Sequence, residues 1–125
     1  MNHPAGNTLF RIVLCLVLAG VFSCKARAEQ DMRSGNFFIP HCEHYLTDNI
    51  QYDVWDGDCS GILSALLYFD RSLTSDVRFC SPKGVTQGQA ARVVLSFLRA
   101  NPARLHEDFR ALAVTALHRA WRCPK

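Results

Sequence analysis

Apolar residues recur at helical spacing through the second half of the chain. Ala90, Val93, Val94, Phe97 and Leu98 fall on one face, and Thr86 with Gln89 forms a Ser/Thr-x-x-Glu/Gln capping box just ahead of them. This predicts a helix over about 86–100. Asn101-Pro102 then reads as the start of another, with Asn101 as N-cap and Pro102 at the first helical position, where its missing N–H costs nothing. Leu105, Phe109, Leu112, Ala113, Ala116, Leu117 and Ala120 make its apolar stripe, and Cys123-Pro124 stops it. A connection this short makes the two helices antiparallel neighbours. Upstream, Asp56 and Asp58 read as capping acids for a helix through Ile62, Ala65, Leu66 and Phe69 to about Arg71. Pro40 reads as the start of a shorter helix over about 41–47. No useful strand alternation and no internal repeat is visible, so the expected fold is all-α, a small bundle of four to five helices.

The N-terminus is patterned differently. The apolar run over 12–22 is shorter than the roughly 20 residues that a bilayer span needs. Ala26-Arg27-Ala28 follows it and has the small-x-small pattern of a signal-peptidase site, so 1–28 reads as a secretory signal with Glu29 as the first exported residue. Val21-Phe22-Ser23-Cys24 loosely resembles a lipobox that would lipidate Cys24, but Phe22 fits that motif poorly. The expected organisation is a signal over 1–28, a flexible segment over 29–37 and a helical domain over 38–125. Once the signal is removed, no membrane contact is expected.

Removing the signal changes the charge. The whole chain carries a formal +3, but Arg11, Lys25 and Arg27 leave with the signal, so the exported part holds 11 bases and 11 acids. Neutrality excludes a general nucleic-acid binder, whose affinity comes from excess Lys and Arg. The charge is unevenly placed, about −7 over 29–76 and about +7 over 77–125. Either the halves compensate each other on a shared surface, or one of them steers a partner.

Cys15 and Cys24 lie in the signal, leaving Cys42, Cys59, Cys80 and Cys123, an even number in a small exported domain. The antiparallel hairpin brings Cys80, before its first helix, towards Cys123, after its second. Cys42 and Cys59 then pair between the first two helices. These assignments leave no thiolate for a Cys-His nucleophile. His41 and His44 are three residues apart on one helix, a spacing that suits a metal, but no third ligand is evident. Asp53, Asp56 and Asp58 lack the regular frame of a calcium loop. His106 reads as a packed or capping residue. No catalytic residue, metal site or cofactor is expected.

The run Phe79-Cys80-Ser81-Pro82-Lys83-Gly84-Val85-Thr86-Gln87-Gly88-Gln89 resembles the Rap/Tai immunity proteins of type VI secretion systems. So do Arg92-Val93-Val94, Asn101-Pro102, Leu105-His106 and the closing Ala120-Trp121-Arg122-Cys123. Cys42 and Cys59-Ser60-Gly61-Ile62 match the family's first two cysteine positions. Arg122 stands where the family usually has Pro, and Ile62 where an aromatic is common. The resemblance implies a small helical periplasmic protein that binds and blocks a peptidoglycan-cleaving effector, with no catalysis of its own. The expected partner is therefore the cognate effector enzyme, with a homodimer as a further association. A general periplasmic stress protein or chaperone is the alternative. Tyr52 and Trp55, in the segment before the second helix, are the aromatic candidates for partner-binding anchors. Their other reading is packing over the Cys42–Cys59 loop.

Overall fold

The computed structural model describes residues 31–47, 51 and 53–124, and within them the fold is all-α. Four α-helices make up the bundle: α1 (Gly35–Tyr45), α2 (Val54–Phe69), α3 (Gln87–Ala100) and α4 (Phe109–Ala120). Short 3-10 turns over Asp70–Ser72 and Pro102–Arg104 follow α2 and α3. The expected signal over 1–28, with Cys24, and Tyr52 lie outside the described residues.

Each helix start has a local cause. Thr86 caps α3, accepting from Gln89 N while Gln89 Oε1 accepts from Thr86 N, which is the capping box expected there. The Pro82–Val85 turn ahead of it closes with Val85 N donating to Pro82 O, and Gly84 takes φ +76°, which glycine reaches without steric cost. The N-cap of α2 is Asp53; of the two acids expected there, Asp56 completes a capping box with it and Asp58 takes no part. Asp53 Oδ1 accepts from the N–H groups of Trp55 and Asp56, while Asp56 Oδ2 accepts from Asp53 N. Asp58 is exposed. α1 begins at Ser34, whose hydroxyl accepts from Phe37 N, so Pro40 lies inside this helix and does not start it. The helix thus reaches back to Gly35, into the stretch expected to be a flexible lead-in.

The largest departure is at the last helix. Asn101 makes no side-chain cap, and its Nδ2 donates instead to Phe97 O. α4 starts only at Phe109, where Asp108 accepts from Arg110 N. The intervening segment receives the start of α1. Gly35 N donates to Glu107 O at 3.0 Å, Asn36 N to Leu105 O at 2.9 Å, and Phe109 N to Arg33 O at 2.7 Å. The backbones come so close that a Cβ on Gly35 would sit 2.8 Å from Leu112 Cδ1 and 3.3 Å from Leu105 O. Overpacking of this kind costs about 1–3 kcal/mol. Gly35→Ala is expected to lower the urea midpoint accordingly, with an unchanged helical circular-dichroism spectrum.

The core is built from all four helices and the loop before α3. Phe38 of α1 stacks on Phe109 of α4 at 4.4 Å between ring centres, with Leu63, Phe79, Val94, Leu95, Leu98, Leu112 and Leu117 buried around them. α3 buries Ala91 and Leu95 in addition to Ala90, Val94 and Leu98, whereas Val93 and Phe97 are only partly buried. On α2 Asp56, Cys59 and Leu63 are buried, and Ile62 and Leu66 of the expected apolar face pack partly buried against the core; Ala65 and Phe69, also expected there, are exposed.

Both expected disulfides are present. Cys42–Cys59 ties α1 to α2 within the core, and Cys80–Cys123 ties the loop before α3 to the chain after α4. Beside the second bond, Cys80 N donates to Trp121 O and Ser81 donates to Asp70 through both N and Oγ. The stretch 79–81 is thus held between the turn that follows α2 and the end of α4.

Candidate functional site

Two regions carry side chains that the core does not explain. The first is the solvent face of α2. Val54, Tyr68 and Phe69 are large, apolar and at least half exposed, and the first two lie on the same side of α2, about 20 Å apart along it. Trp55, one of the two aromatic anchors expected from sequence, is half-buried at the start of α2. Its ring meets Phe37 edge-to-face at 5.0 Å, so part of it packs on α1 while the rest remains accessible. No large described residues other than these and Met32 are apolar and exposed. Val54 at one end of α2 and the adjacent Tyr68 and Phe69 at the other are thus two separate exposed apolar spots.

The second region joins α1 to the start of α2. Asp56 is fully buried, and His41 and His44 of α1 approach it from one side. His44 Nδ1 lies 2.5 Å from Asp56 Oδ2, and His41 Nδ1 lies 3.6 Å from Asp56 Oδ1 and 3.7 Å from Asp53 Oδ2. Burial alone would raise the pKa of Asp56, but the Asp53 N–H and the His44 imidazole outweigh it and hold the carboxyl below its usual value. An ionised carboxylate only accepts, so His44 Nδ1 carries the proton. Sequence reasoning took Asp56 for a cap and did not pair it with the histidines. Nothing in the spacing of 41, 44 and 56 distinguishes it from Asp53 or Asp58.

Asp70 is a second buried carboxylate. Burial pushes its pKa up, and the hydroxyl and N–H of Ser81 together with Arg71 N–H bring it below the usual value. Among more exposed acids, the Arg110 guanidinium holds Asp108 down at about 2. A carboxyl with a lowered folded pKa stabilises the fold above its unfolded pKa of about 3.9 and loses that contribution as pH falls through the folded value. The protein is therefore expected to lose stability steeply below about pH 4, and Asp70→Asn to make that loss shallower in melting curves taken from pH 5 to pH 2.

The other chemistry resolves as structure. All four cysteines of the helical domain are oxidised. His118 Nδ1 donates to Arg78 O at 2.7 Å, and His106 is exposed on the segment before α4. The acidic and basic halves meet at Glu43 and Arg99, 2.6 Å apart between α1 and α3. Both side chains are exposed, so that pair adds little stability.

Four helices and two disulfides, one buried in the core and one partly exposed, define a small disulfide-bonded helical domain. The family model of the Rap1a immunity proteins matches residues 34–123, from the N-cap of α1 to the last cysteine. The chain belongs to the Rap1a immunity protein family. No curated protein and no solved structure matches it significantly.

Proposed function

We propose that this chain is a periplasmic immunity protein, exported by a signal cleaved after Ala28, that binds and inhibits a peptidoglycan amidase delivered by a type VI secretion system. The observation that carries this reading is the family match, which spans all four helices and both disulfides. Two disulfides in a domain this small fit folding in an oxidising compartment. The protein acts by occupying the effector's cleft and not by catalysis.

The face we assign to the effector is the outer side of α2 with the segment leading into it. Tyr52 and Trp55 supply aromatic anchors at one end, and Tyr68 and Phe69 at the other. Buried aromatics of this kind carry most of the energy of an interface. The acidic residues of this half speed encounter with a basic effector surface.

The test is co-expression with a candidate effector of the proposed class, directed to the periplasm of a sensitive host. Survival is expected with the full chain and lost when 1–28 is deleted. Lysis with the full chain overturns the reading. Tyr68→Ala with Phe69→Ala is expected to weaken protection at least tenfold while leaving the melting temperature within about 2 °C, because both side chains are at least half exposed. Tyr52→Ala with Trp55→Ala is expected to weaken protection and also to lower stability, since Trp55 packs on Phe37. Loss of stability with full protection removes Tyr52 and Trp55 from the interface.

A further inference from the structure

The N-terminal cap of α2 arranges three metal-ligating atoms around one point. Asp53 spends Oδ1 on the helix, accepting from Trp55 N and Asp56 N. Asp56 spends Oδ2 on Asp53 N and on His44. Each carboxylate thereby has its second oxygen turned towards His41. Asp56 Oδ1 stands 3.6 Å and Asp53 Oδ2 3.7 Å from His41 Nδ1, and the three atoms lie within 4.8 Å of one another.

Those separations are too long for hydrogen bonds, whose N···O distances run from about 2.7 to 3.2 Å. They are close to what a metal ion requires. Tetrahedral zinc with bonds of about 2.0–2.1 Å holds its ligands roughly 3.3–3.4 Å apart, so the two distances from His41 need to shorten by only a few tenths of an ångström, while the two carboxylate oxygens, within 4.8 Å of each other, swing together by a side-chain rotation of the exposed Asp53. A second observation points the same way. Asp56 Oδ1 is a buried carboxylate oxygen without a hydrogen-bond partner, on a side chain with no solvent exposure. Such an atom is costly to leave unpaired, and it faces the point between the three donors.

We propose that His41 Nδ1, Asp53 Oδ2 and Asp56 Oδ1 form a binding site for one divalent transition-metal ion of the zinc type. One imidazole with two carboxylate oxygens suits zinc and its neighbours better than magnesium or calcium, which prefer all-oxygen shells of six or more ligands. His44 is the supporting residue, since its bond to Asp56 Oδ2 fixes the carboxylate so that Oδ1 faces the ion. Asp53 is 53% and His41 21% exposed at the side chain, so the ion reaches the site from solvent and keeps an open position on that side. Bound there, it clamps α1 to the start of α2 beside the Cys42–Cys59 bond. His41, one of the two histidines seen in the sequence, thus acquires carboxylate co-ligands from the N-cap and first turn of α2.

The test uses untagged protein stripped with chelator and titrated calorimetrically with Zn²⁺, Mg²⁺ and Ca²⁺ separately. One Zn²⁺ per chain is expected, with micromolar or tighter affinity and a raised melting temperature, and no saturation by Mg²⁺ or Ca²⁺ in the same range. His41→Gln and Asp53→Asn are each expected to weaken Zn²⁺ binding at least tenfold. Asn caps helices as well as Asp, so Asp53→Asn keeps α2 intact, and the melting temperature of both variants in chelator should match the wild type's within about 2 °C. Absence of saturable Zn²⁺ binding by the wild type overturns the proposal. So does Zn²⁺ binding that either variant leaves intact, or equal binding of Ca²⁺.

Discussion

Replacing Cys80 and Cys123 together by Ala is expected to remove about 4 kcal/mol of unfolding free energy, against about 3 kcal/mol for the loop-closure share of the Cys42–Cys59 bond. The difference follows from the loops closed, 43 residues in the first case and 17 in the second, because the longer loop confines the unfolded chain more. Small domains are stable by only about 5–15 kcal/mol, so losing both bonds consumes most of the margin. The Cys42–Cys59 pair is also buried in the core, so its replacement adds a cavity cost on top of the loop term. Urea unfolding of the two double variants, and of the wild type with reductant, checks this. The fully reduced protein should be largely unfolded at 37 °C, and an unchanged urea midpoint in reductant would contradict the assigned role of the bonds. The same arithmetic explains why a copy without residues 1–28, the signal under the proposed function, is expected to fail in the co-expression experiment, since it would meet a reducing cytosol.

Phe109→Ala should cost about 3–5 kcal/mol, the range for truncating a large buried aromatic side chain. Phe109 has no exposed surface, stacks on Phe38 with the rings 13° from parallel, and is the first residue of α4. Its N–H donates to Arg33 O, so the residue joins the core to the docking of α1 against the segment ahead of α4. Phe109→Leu keeps most of the apolar volume and is expected to cost roughly half as much or less. Urea midpoints of the two variants, compared at constant m-value, give the measurement. Similar small losses for both would mean that α1 and α4 do not share one core.

The sequence made the fold class legible because its strongest signals are local. The Thr86–Gln89 capping box and the apolar face behind it produce α3 where expected, and Gly84 produces the turn before it. The cysteine frame was legible for a related reason. A short α3–α4 connection puts the two ends of that hairpin together, which is where Cys80 and Cys123 meet. Errors arose where tertiary contacts override local preference. Asn101-Pro102 has the composition of a helix start, yet residues 105 and 107 use their carbonyls to receive the N–H groups of Asn36 and Gly35, and α4 is delayed to Phe109. Pro40 resembles a first helical residue, but Ser34 provides the cap and the helix accommodates the proline inside.

The polar cluster was the least legible part. Asp53, Asp56 and Asp58 are interchangeable in composition, and only the pitch of α2 decides that one caps, one is buried against the histidines and one faces solvent. Burial of Asp56 depends on α1 lying alongside, held there by Cys42–Cys59, and no local rule conveys that. Exposure of Tyr68 and Phe69 escaped notice for the opposite reason. Phe69 falls at the spacing of Ile62, Ala65 and Leu66 and so reads as a continuing apolar face, while the helix in fact buries Asp56, Cys59 and Leu63 and leaves Tyr68 and Phe69 in solvent.

The central claim is inhibition by stoichiometric binding, and a titration tests it most directly. The oxidised protein is added in steps to a fixed amount of a candidate effector of the proposed class, a peptidoglycan amidase, and release of amidase products is followed. Activity is expected to fall in proportion to added protein and to reach zero at a fixed whole-number ratio, with the protein recovered unaltered from the complex. Undiminished hydrolysis at a tenfold excess of correctly oxidised protein would contradict the account.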